Sequence, residues 1–389
     1  MPPERKKGIF ELPLKFIFTE EGSSMLIRQK AKFTRIKMGD NTEEYGILLD
    51  KVTPASVQRM LMAGYISKIE VSGIETAANR AGVIDLSKLI IFSLLYGQYH
   101  HASLAGILSA EPVKRWNHTN PFSVIDEKTH FKEGSVRQYL KEHETELSEI
   151  TKELLAPLND NISRDETFLD DEKQMQTMMA EKLLSFADPL IWFVLIKFKS
   201  GPDYFSLLRD VRLCLAGYLK KTRIAEYTAL LTIELAQNIE NVNILKEARV
   251  LYKNKYVKLF KILRESRFRV PVINQLRQKN NLITISWKIG GTSTSIGTRG
   301  KLQVVLYDKE INYREMRGSF EATHAADITK NSLTEYYNRL LENGNDLELG
   351  MYYLSYLGEA CEKVGIKFES MVNQIPLSDV TMITLTFGI

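Results

Sequence analysis

Glu234 and Asn238 are the residues of this chain whose types and spacing most directly suggest chemistry. They lie in residues 227–241, YTALLTIELAQNIEN, where apolar residues alternate with good helix formers and predict a mostly buried helix. A spacing of four residues puts the carboxylate and the carboxamide on one helix face. Both groups are costly to bury alone, so the pair is predicted either to hold a hydrated Mg²⁺ or to cap a neighbouring backbone.

The segments after this helix are predicted to form a two-stranded hairpin, a polar segment, a helix opening at Gly350 and two final strands. The hairpin is indicated by two alternating apolar stretches around a glycine-rich loop, and its second strand ends in Asp308. In order, the predicted elements are strand 281–289, loop 290–300, strand 301–308, a largely helical segment to residue 346, helix 349–365, strand 366–372 and strand 381–387.

This order of elements resembles the ATP-binding domain of the histidine-kinase-like (GHKL) superfamily over residues 224–389. Within that superfamily it is most similar to small bacterial regulatory kinases and anti-sigma-type switch proteins. The resemblance implies an α/β sandwich that takes ATP and Mg²⁺. It also implies roles for four residues: Asn238 as magnesium ligand, Glu234 as base, Asp308 as adenine contact and Gly350 beside the phosphates.

The chain departs from the family pattern at its glycines. The family has D-x-G-x-G, whereas Asp308 is followed by Lys-Glu-Ile-Asn, and Gly350 is followed by Met351 and the bulky Tyr352. Asn241 stands where the family often has a basic residue. Because glycine permits close backbone approach to a ligand, these departures predict a degenerate nucleotide site, and whether ATP is turned over stays open.

Composition points to a cytoplasmic globular protein. The 389 residues are enough for two or three domains, and a 44% hydrophobic share argues against wholesale disorder. The two cysteines, Cys214 and Cys361, form no metal-binding pattern, which favours a reducing compartment. Neither a signal peptide nor an apolar stretch of about 20 residues is evident, so no transmembrane segment is expected.

The chain is predicted to be α+β and to divide into four parts. These are a mixed α+β module (1–133), a helix and acidic linker (134–173), a helical segment (174–223) and the histidine-kinase-like domain (224–389). In the first part, strands are predicted at 9–18 and 25–38, and a helix over 54–62 begins after Thr53. The linker is placed at residues 159–171, after a helix that Pro157 is expected to end.

Residues 246–279 carry eleven basic residues against two acidic ones. Tyr252, Tyr256, Leu259 and Leu263 would share one face of an amphipathic basic helix that ends before Pro271. Four interpretations remain open. The segment could bind the chain's own acidic residues 142–173, contact nucleic acid, lie on an anionic membrane, or be the solvated face of a core helix.

Three functions follow from these patterns. The first is a bacterial regulatory protein with a degenerate nucleotide site, which acts through an unidentified protein partner and can form a homodimer through residues 174–223. The second is a working ATP-dependent kinase or ATPase, in which Asn238 holds Mg²⁺, Glu234 orients or deprotonates the acceptor and Asp308 reads adenine. The third is a nucleic-acid-binding protein that uses residues 246–279. The helical segment has no acceptor-type histidine, which argues against a conventional histidine kinase.

Overall fold

A computed structural model of the chain describes residues 9–126, 133–166, 170–253, 257–290, 300–309, 314, 317–318, 347–375 and 380–389. The chain forms two compact units. The sheet unit combines Met1–Leu94 with Ile224–Ile389, and the helical unit is Leu95–Arg223. The mixture of helices and strands agrees with the predicted α+β class.

The sheet unit is built on one eight-stranded antiparallel sheet with the order β2-β3-β1-β4-β5-β6-β8-β7. The strands are β1 (Leu14–Phe18), β2 (Thr34–Lys37), β3 (Glu43–Leu49), β4 (Ile66–Ile74), β5 (Ile283–Gly290), β6 (Lys301–Asp308), β7 (Lys367–Gln374) and β8 (Thr381–Gly388).

Strands from both ends of the chain meet at the β4–β5 pair, where Val71 lies opposite Ile285. The predicted N-terminal module and the predicted C-terminal domain therefore share a sheet, which differs from the predicted division at residue 133. The predicted boundary between residues 223 and 224 coincides with a boundary of the units. Sequence periodicity shows that a strand exists but not which distant strand it pairs with, so it could not reveal the pairing of β4 with β5.

The register places large apolar side chains in rows across one face of the sheet. Phe16, Ile69, Trp287, Val304 and Leu385 form one such row, and each is fully buried. Side chains along a strand point alternately to opposite faces. The other face therefore carries the intervening residues, many of which are polar.

Twelve helices are described in the two units. They are α1 (Glu20–Arg28), α2 (Pro54–Met62), α3 (Thr76–Leu108), α4 (Glu111–Thr119), α5 (Glu133–Glu142), α6 (Glu144–Arg164), α7 (Asp170–Ser185), α8 (Pro189–Lys197), α9 (Tyr204–Leu251), α10 (Leu259–Arg264), α11 (Ser266–Gln278) and α12 (Leu347–Lys363). Helix α9, 48 residues long, contains the predicted helix 227–241.

The predicted elements of the C-terminal half are largely confirmed. Strand β6 has the predicted bounds, and β5, β7, β8 and α12 lie within a few residues of the predictions. The hairpin is confirmed by the β5–β6 register, in which Gly290 lies opposite Lys301. Most of the predicted loop 290–300 and of the helical segment to residue 346 lies outside the described residues. Helix α2 begins as predicted, with the Thr53 hydroxyl accepting a hydrogen bond from the Ser56 amide.

The predicted strand 25–38 is wrong in its first part, because α1 occupies Glu20–Arg28. Thr19 caps this helix by accepting a hydrogen bond from the Gly22 amide at 3.2 Å. Glu20 and Glu21 follow in the first turn, where their negative charges interact favourably with the positive end of the helix dipole. The N-terminal cap thus favours a helix in a segment of β-like composition.

The predicted linker 159–171 and the helix end at Pro157 are also wrong. Helix α6 runs through Pro157 to Arg164, and α7 begins at Asp170. Ile150, Leu154 and Leu158 form the buried face of α6. Packing of this face offsets the hydrogen bond that an internal proline removes.

The predicted amphipathic basic helix that ends before Pro271 is wrong. The segment is divided among the end of α9, α10 and α11, and Pro271 lies inside α11. Ile244, Ile262 and Val272 share a small hydrophobic core, against which Tyr252 and Leu263 pack. These helices are therefore core elements of the sheet unit.

Among the described residues, α3 is the one helix that is long and apolar enough, by length and composition, to cross a membrane. Its Arg80 and Lys88 pair with Glu234 and Glu226 of α9, at 2.7 and 2.9 Å. In this structure α3 and α9 thus contact each other through charged side chains.

Candidate functional site

Asp308 is positioned by two elements at one end of the sheet. It is the last residue of β6, and it lies on the apolar face because it follows Leu306 by two positions. Its carboxylate accepts a hydrogen bond from the side-chain amide of Asn243 of α9 at 2.7 Å, and both residues are buried. The register places Thr381 of β8 directly opposite Asp308. A buried carboxylate is thereby held in one orientation at the end of β6.

Glu234, the predicted base, is engaged by a cation. Its carboxylate pairs with the guanidinium of Arg80 at 2.7 Å, and the same guanidinium donates to Gln237 one helical turn further on. Both side chains are partly exposed. The Glu234 carboxylate is therefore already engaged by a guanidinium group in this structure.

Asn238 is half-buried on α9, and its side chain has no hydrogen-bond partner within the described part of the chain. Gly350 lies in α12, near the start of that helix. No three His, Cys, Asp or Glu side chains gather as a metal-binding group among the described residues. The structure therefore brings Asp308 against α9 through Asn243, a residue that differs from the predicted Asn238.

An open cleft of about 140 Å³ lies where β5 begins and β6 ends. Asp308 and Lys309 line one side, and Asn280 lines the turn that leads from α11 into β5. Lys37 and Asn41 line the cleft from the β2–β3 hairpin. The cleft is therefore bounded by parts of the chain from both ends of the sequence, and it contains one carboxylate beside ammonium and amide groups.

The β2–β3 hairpin is held against the polar face of the sheet by Glu70, which is fully buried in β4. Its carboxylate accepts hydrogen bonds from the Gly39 amide at 3.0 and 3.1 Å, from the Lys15 ammonium at 3.0 Å and from the Ser72 hydroxyl at 2.8 Å. Lys15 also donates to the Lys37 carbonyl at 2.6 Å. This network fixes the wall of the cleft that the hairpin supplies.

Gly39 of the hairpin lies close to Tyr307 of β6. A Cβ added at Gly39 would lie 2.6 Å from Cδ2 of Tyr307 and 2.7 Å from Cγ2 of Thr284. Burial, together with the negative charges of Asp40, Glu70 and Glu44, raises the pKa of the Tyr307 hydroxyl. Tyr307 is therefore a neutral packing residue under ordinary conditions.

Glu240, two turns along α9 from Glu234, ties three helices together. Its carboxylate accepts hydrogen bonds from the Thr76 amide at 2.5 Å and from the Thr76 hydroxyl at the start of α3, and it pairs with Arg269 of α11. Arg269 also pairs with Glu75 at 3.4 Å. Burial raises the pKa of Glu240, although the Thr76 hydrogen bonds and the Arg269 charge oppose that rise.

Several basic residues of segment 246–279 pair with acidic residues of the sheet unit. Besides the Arg269 pairs, Lys279 pairs with Glu247 at 2.6 Å and Arg267 with Glu265 at 2.7 Å. The predicted partner was the acidic segment 142–173, but the contacts described for that segment lie within the helical unit, such as Glu149 with Lys199.

Sequence reasoning missed Asn243, Arg80 and Glu240. Asn243 and Glu240 follow Glu234 on α9 by nine and six residues, so a longer helical wheel could have placed them near one another. Arg80 lies far away in sequence, and no local signal links it to Glu234. Lys15 and Glu70, on the polar face, belong to strands with ordinary alternating sequences, so no local signal distinguishes them.

Comparisons with known proteins locate the chain in a family. It is similar to a protein of Treponema pallidum (strain Nichols) described as an uncharacterized protein, with 36% identity over 388 residues and complete coverage of both chains. No solved structure matches the chain. A family of unknown function, DUF8084, matches residues 5–389. The chain therefore belongs to the DUF8084 family.

Proposed function

We propose that this chain is a cytoplasmic bacterial regulatory protein that acts through protein contacts and binds an adenine nucleotide without transferring its phosphate. The order of α9, β5, β6, α12, β7 and β8 along the chain supports the histidine-kinase-like part of this proposal, since it is the order on which the resemblance depends.

The observation that carries the proposal is the position of Asp308. Its carboxylate is buried and is oriented by Asn243, and Asp308 is one of the residues that line an open cleft. A carboxylate has about four acceptor positions, so it can accept hydrogen bonds from several donors at once. An exocyclic amino group of a purine is a donor of the required type, and the resemblance assigns that contact to Asp308.

The residues present fit phosphoryl transfer poorly. The Glu234 carboxylate is paired with the Arg80 guanidinium at 2.7 Å, so it is already engaged within the protein. Asn238 offers one carboxamide oxygen, whereas protein-bound Mg²⁺ is usually held by one or two carboxylates together with substrate phosphates. Lys309 stands directly after Asp308, in the region where the family has glycines. We therefore derive no transfer step and assign Mg²⁺ no fixed site.

Exposed apolar residues on the first turns of α9 support the protein-contact part of the proposal. Phe205 and Leu213 are 74% and 64% exposed, and they lie eight residues apart on one side of the helix. They belong to the segment 174–223 for which a homodimer is predicted. Sedimentation of Leu213→Ser against the wild type tests this contact. A wild type that sediments with a larger mass than Leu213→Ser supports the contact. A wild type that sediments as a monomer at all concentrations contradicts self-association.

Turnover of Mg-ATP tests the absence of phosphoryl transfer. We expect phosphate release and labelling of the protein by γ-labelled ATP to stay at the level of a protein-free blank. Magnesium-dependent turnover that Asn238→Ala abolishes would overturn this part of the proposal. It would favour the alternative, an active kinase or ATPase in which Asn238 binds the metal.

A further inference from the structure

Two lysines on opposite walls of the cleft have ammonium groups that pair with no other described residue. Lys37 comes from the end of β2, and Lys309 directly follows β6. Neither ammonium group has a hydrogen-bond or ion-pair partner within the described residues, and both side chains are exposed. The cleft therefore presents two ammonium groups from distant parts of the sequence that have no described partner, and Asp308, which is hydrogen-bonded to Asn243, also lines it.

Lys15 also lines the cleft, but its ammonium is already satisfied. Its three donors reach the Lys37 carbonyl at 2.6 Å, Ser72 at 2.8 Å and Glu70 at 3.0 Å. Glu70 balances its charge. Lys15 therefore holds the hairpin in place and leaves the attraction of a ligand to Lys37 and Lys309.

Asn41 and Asn280 add amide donors to the same walls. Asn41 lies at the hairpin tip with φ 65°, and Asn280 lies in the turn before β5 with φ 55°. Left-handed backbone of this kind is common for Asn in tight turns. Two ammonium groups and two carboxamides form a donor-rich surface that suits an anion with several acceptor oxygens.

The cleft volume is sufficient for a small anion. Its accessible volume of about 140 Å³ is many times the roughly 10–15 Å³ that one water molecule requires on the same measure. One or two phosphate groups therefore fit this space. Lysine binds phosphate as a point charge, without a fixed two-pronged geometry.

We propose that the cleft binds the phosphate groups of a small phosphorylated ligand through Lys37 and Lys309. The identity of the rest of the ligand rests on the proposed function, in which Asp308 contacts the base. A nucleotide and free pyrophosphate share the phosphate chemistry, so the experiment must separate these two sources.

Calorimetry of the full chain with sodium pyrophosphate, ATP and adenosine, at low and moderate salt, tests the proposal. We expect pyrophosphate and ATP to bind, with an affinity that falls as salt rises. Lys37→Gln and Lys309→Gln should each weaken binding about tenfold, because each removes a charge-assisted hydrogen bond. The matched control is Lys32→Gln, which removes an exposed lysine close to the hairpin that does not line the cleft.

Each outcome separates this inference from the proposed function. Pyrophosphate binding that both lysine variants weaken, without ATP binding, supports the phosphate site and contradicts the nucleotide proposal. ATP binding that Asp308→Asn removes, with both lysine variants indistinguishable from Lys32→Gln, overturns the phosphate site and leaves the nucleotide proposal intact. Absence of pyrophosphate binding at low salt, or equal binding of sulfate, also overturns it. Melting temperatures of the variants check that each is folded.

Discussion

Among single residues, the candidate site depends on polar groups that are buried together with their partners. Asp308 and Asn243 are both nearly inaccessible to water, and one hydrogen bond of 2.7 Å joins them. Burial of a carboxylate is unfavourable unless donors replace the lost water. Asn243 therefore stabilises the fold and orients Asp308 at the same time.

Truncation of Asn243 should reveal this dual role. We expect Asn243→Ala to lower the free energy of unfolding by about 2 kcal/mol, since a buried carboxylate loses a donor. Asn238→Ala is the matched control on the same helix. It is half-buried without a described partner and should cost less than about 0.5 kcal/mol. Chemical denaturation measures both values, and equal costs for the two variants would contradict the assignment of Asn243.

Glu240 gives a prediction about pH. Burial raises its pKa in the folded protein above the ordinary value of 4.5. Its contribution to stability is therefore fully present below the unfolded pKa and is lost as pH rises through the folded pKa. Glu240→Gln is neutral at every pH. The free energy of unfolding of Glu240→Gln minus that of the wild type should therefore increase between about pH 4 and about pH 8.

Denaturation curves of both proteins at several pH values measure this trend. Glu43→Gln, which removes a surface carboxylate of β3, controls for the change in formal charge. A relative stability of Glu240→Gln that falls with rising pH would show that the ion pair with Arg269 dominates over burial.

At the scale of elements, the β2–β3 hairpin connects the N-terminal strands to the candidate site. Glu70 holds the Gly39 amide, and Gly39 lies against Tyr307 of β6. The hairpin thus supplies Lys37 and Asn41 to a cleft whose other wall comes from the C-terminal half. Displacement of the hairpin would remove one wall of the cleft.

Gly39→Ala tests this contact. The added methyl would approach Tyr307 and Thr284 to less than 3 Å, so the hairpin must move, at a cost of about 1–3 kcal/mol. Gly97→Ala is a matched control. Nothing lies within 4 Å of its Cβ position in α3, and alanine favours helix, so this variant should be slightly more stable than wild type. Thermal denaturation compares the two, and an unchanged Gly39→Ala protein would contradict the tight packing.

Much of the secondary structure could be predicted from the sequence, whereas its arrangement could not. Strand β6 and helix α2 were recognisable because alternation and a Thr-Pro cap are local signals. The misplaced strand 25–38 and the false break at Pro157 were decided by capping and packing, which outweigh composition. Of the candidate site, Asp308 was identifiable through its family resemblance, but its partner Asn243 and the Arg80–Glu234 pair depend on long-range contacts.

At the scale of the whole molecule, the sheet unit requires both ends of the chain. β5 lies between β4 and β6, and its Ile285 and Trp287 are fully buried. A chain without residues 1–94 would leave one edge of β5 unpaired and expose part of this apolar face.

A fragment of residues 224–389 should therefore fail to fold cooperatively, although it contains every element on which the family resemblance depends. We expect its thermal transition by circular dichroism to be broad and its apolar surface to bind a hydrophobic dye. A cooperative transition near that of the full chain would instead show that the C-terminal half is an independent domain, as the sequence alone predicts.

Calorimetric titration of ATP into the full chain and into Asp308→Asn tests whether Asp308 contacts an adenine nucleotide. Asparagine keeps an acceptor for the Asn243 amide, so the variant should stay folded while losing the carboxylate. The account predicts saturable binding to the wild type, weakened at least about tenfold in Asp308→Asn. No binding of ATP by the wild type, or equal affinity of the two proteins, would contradict it.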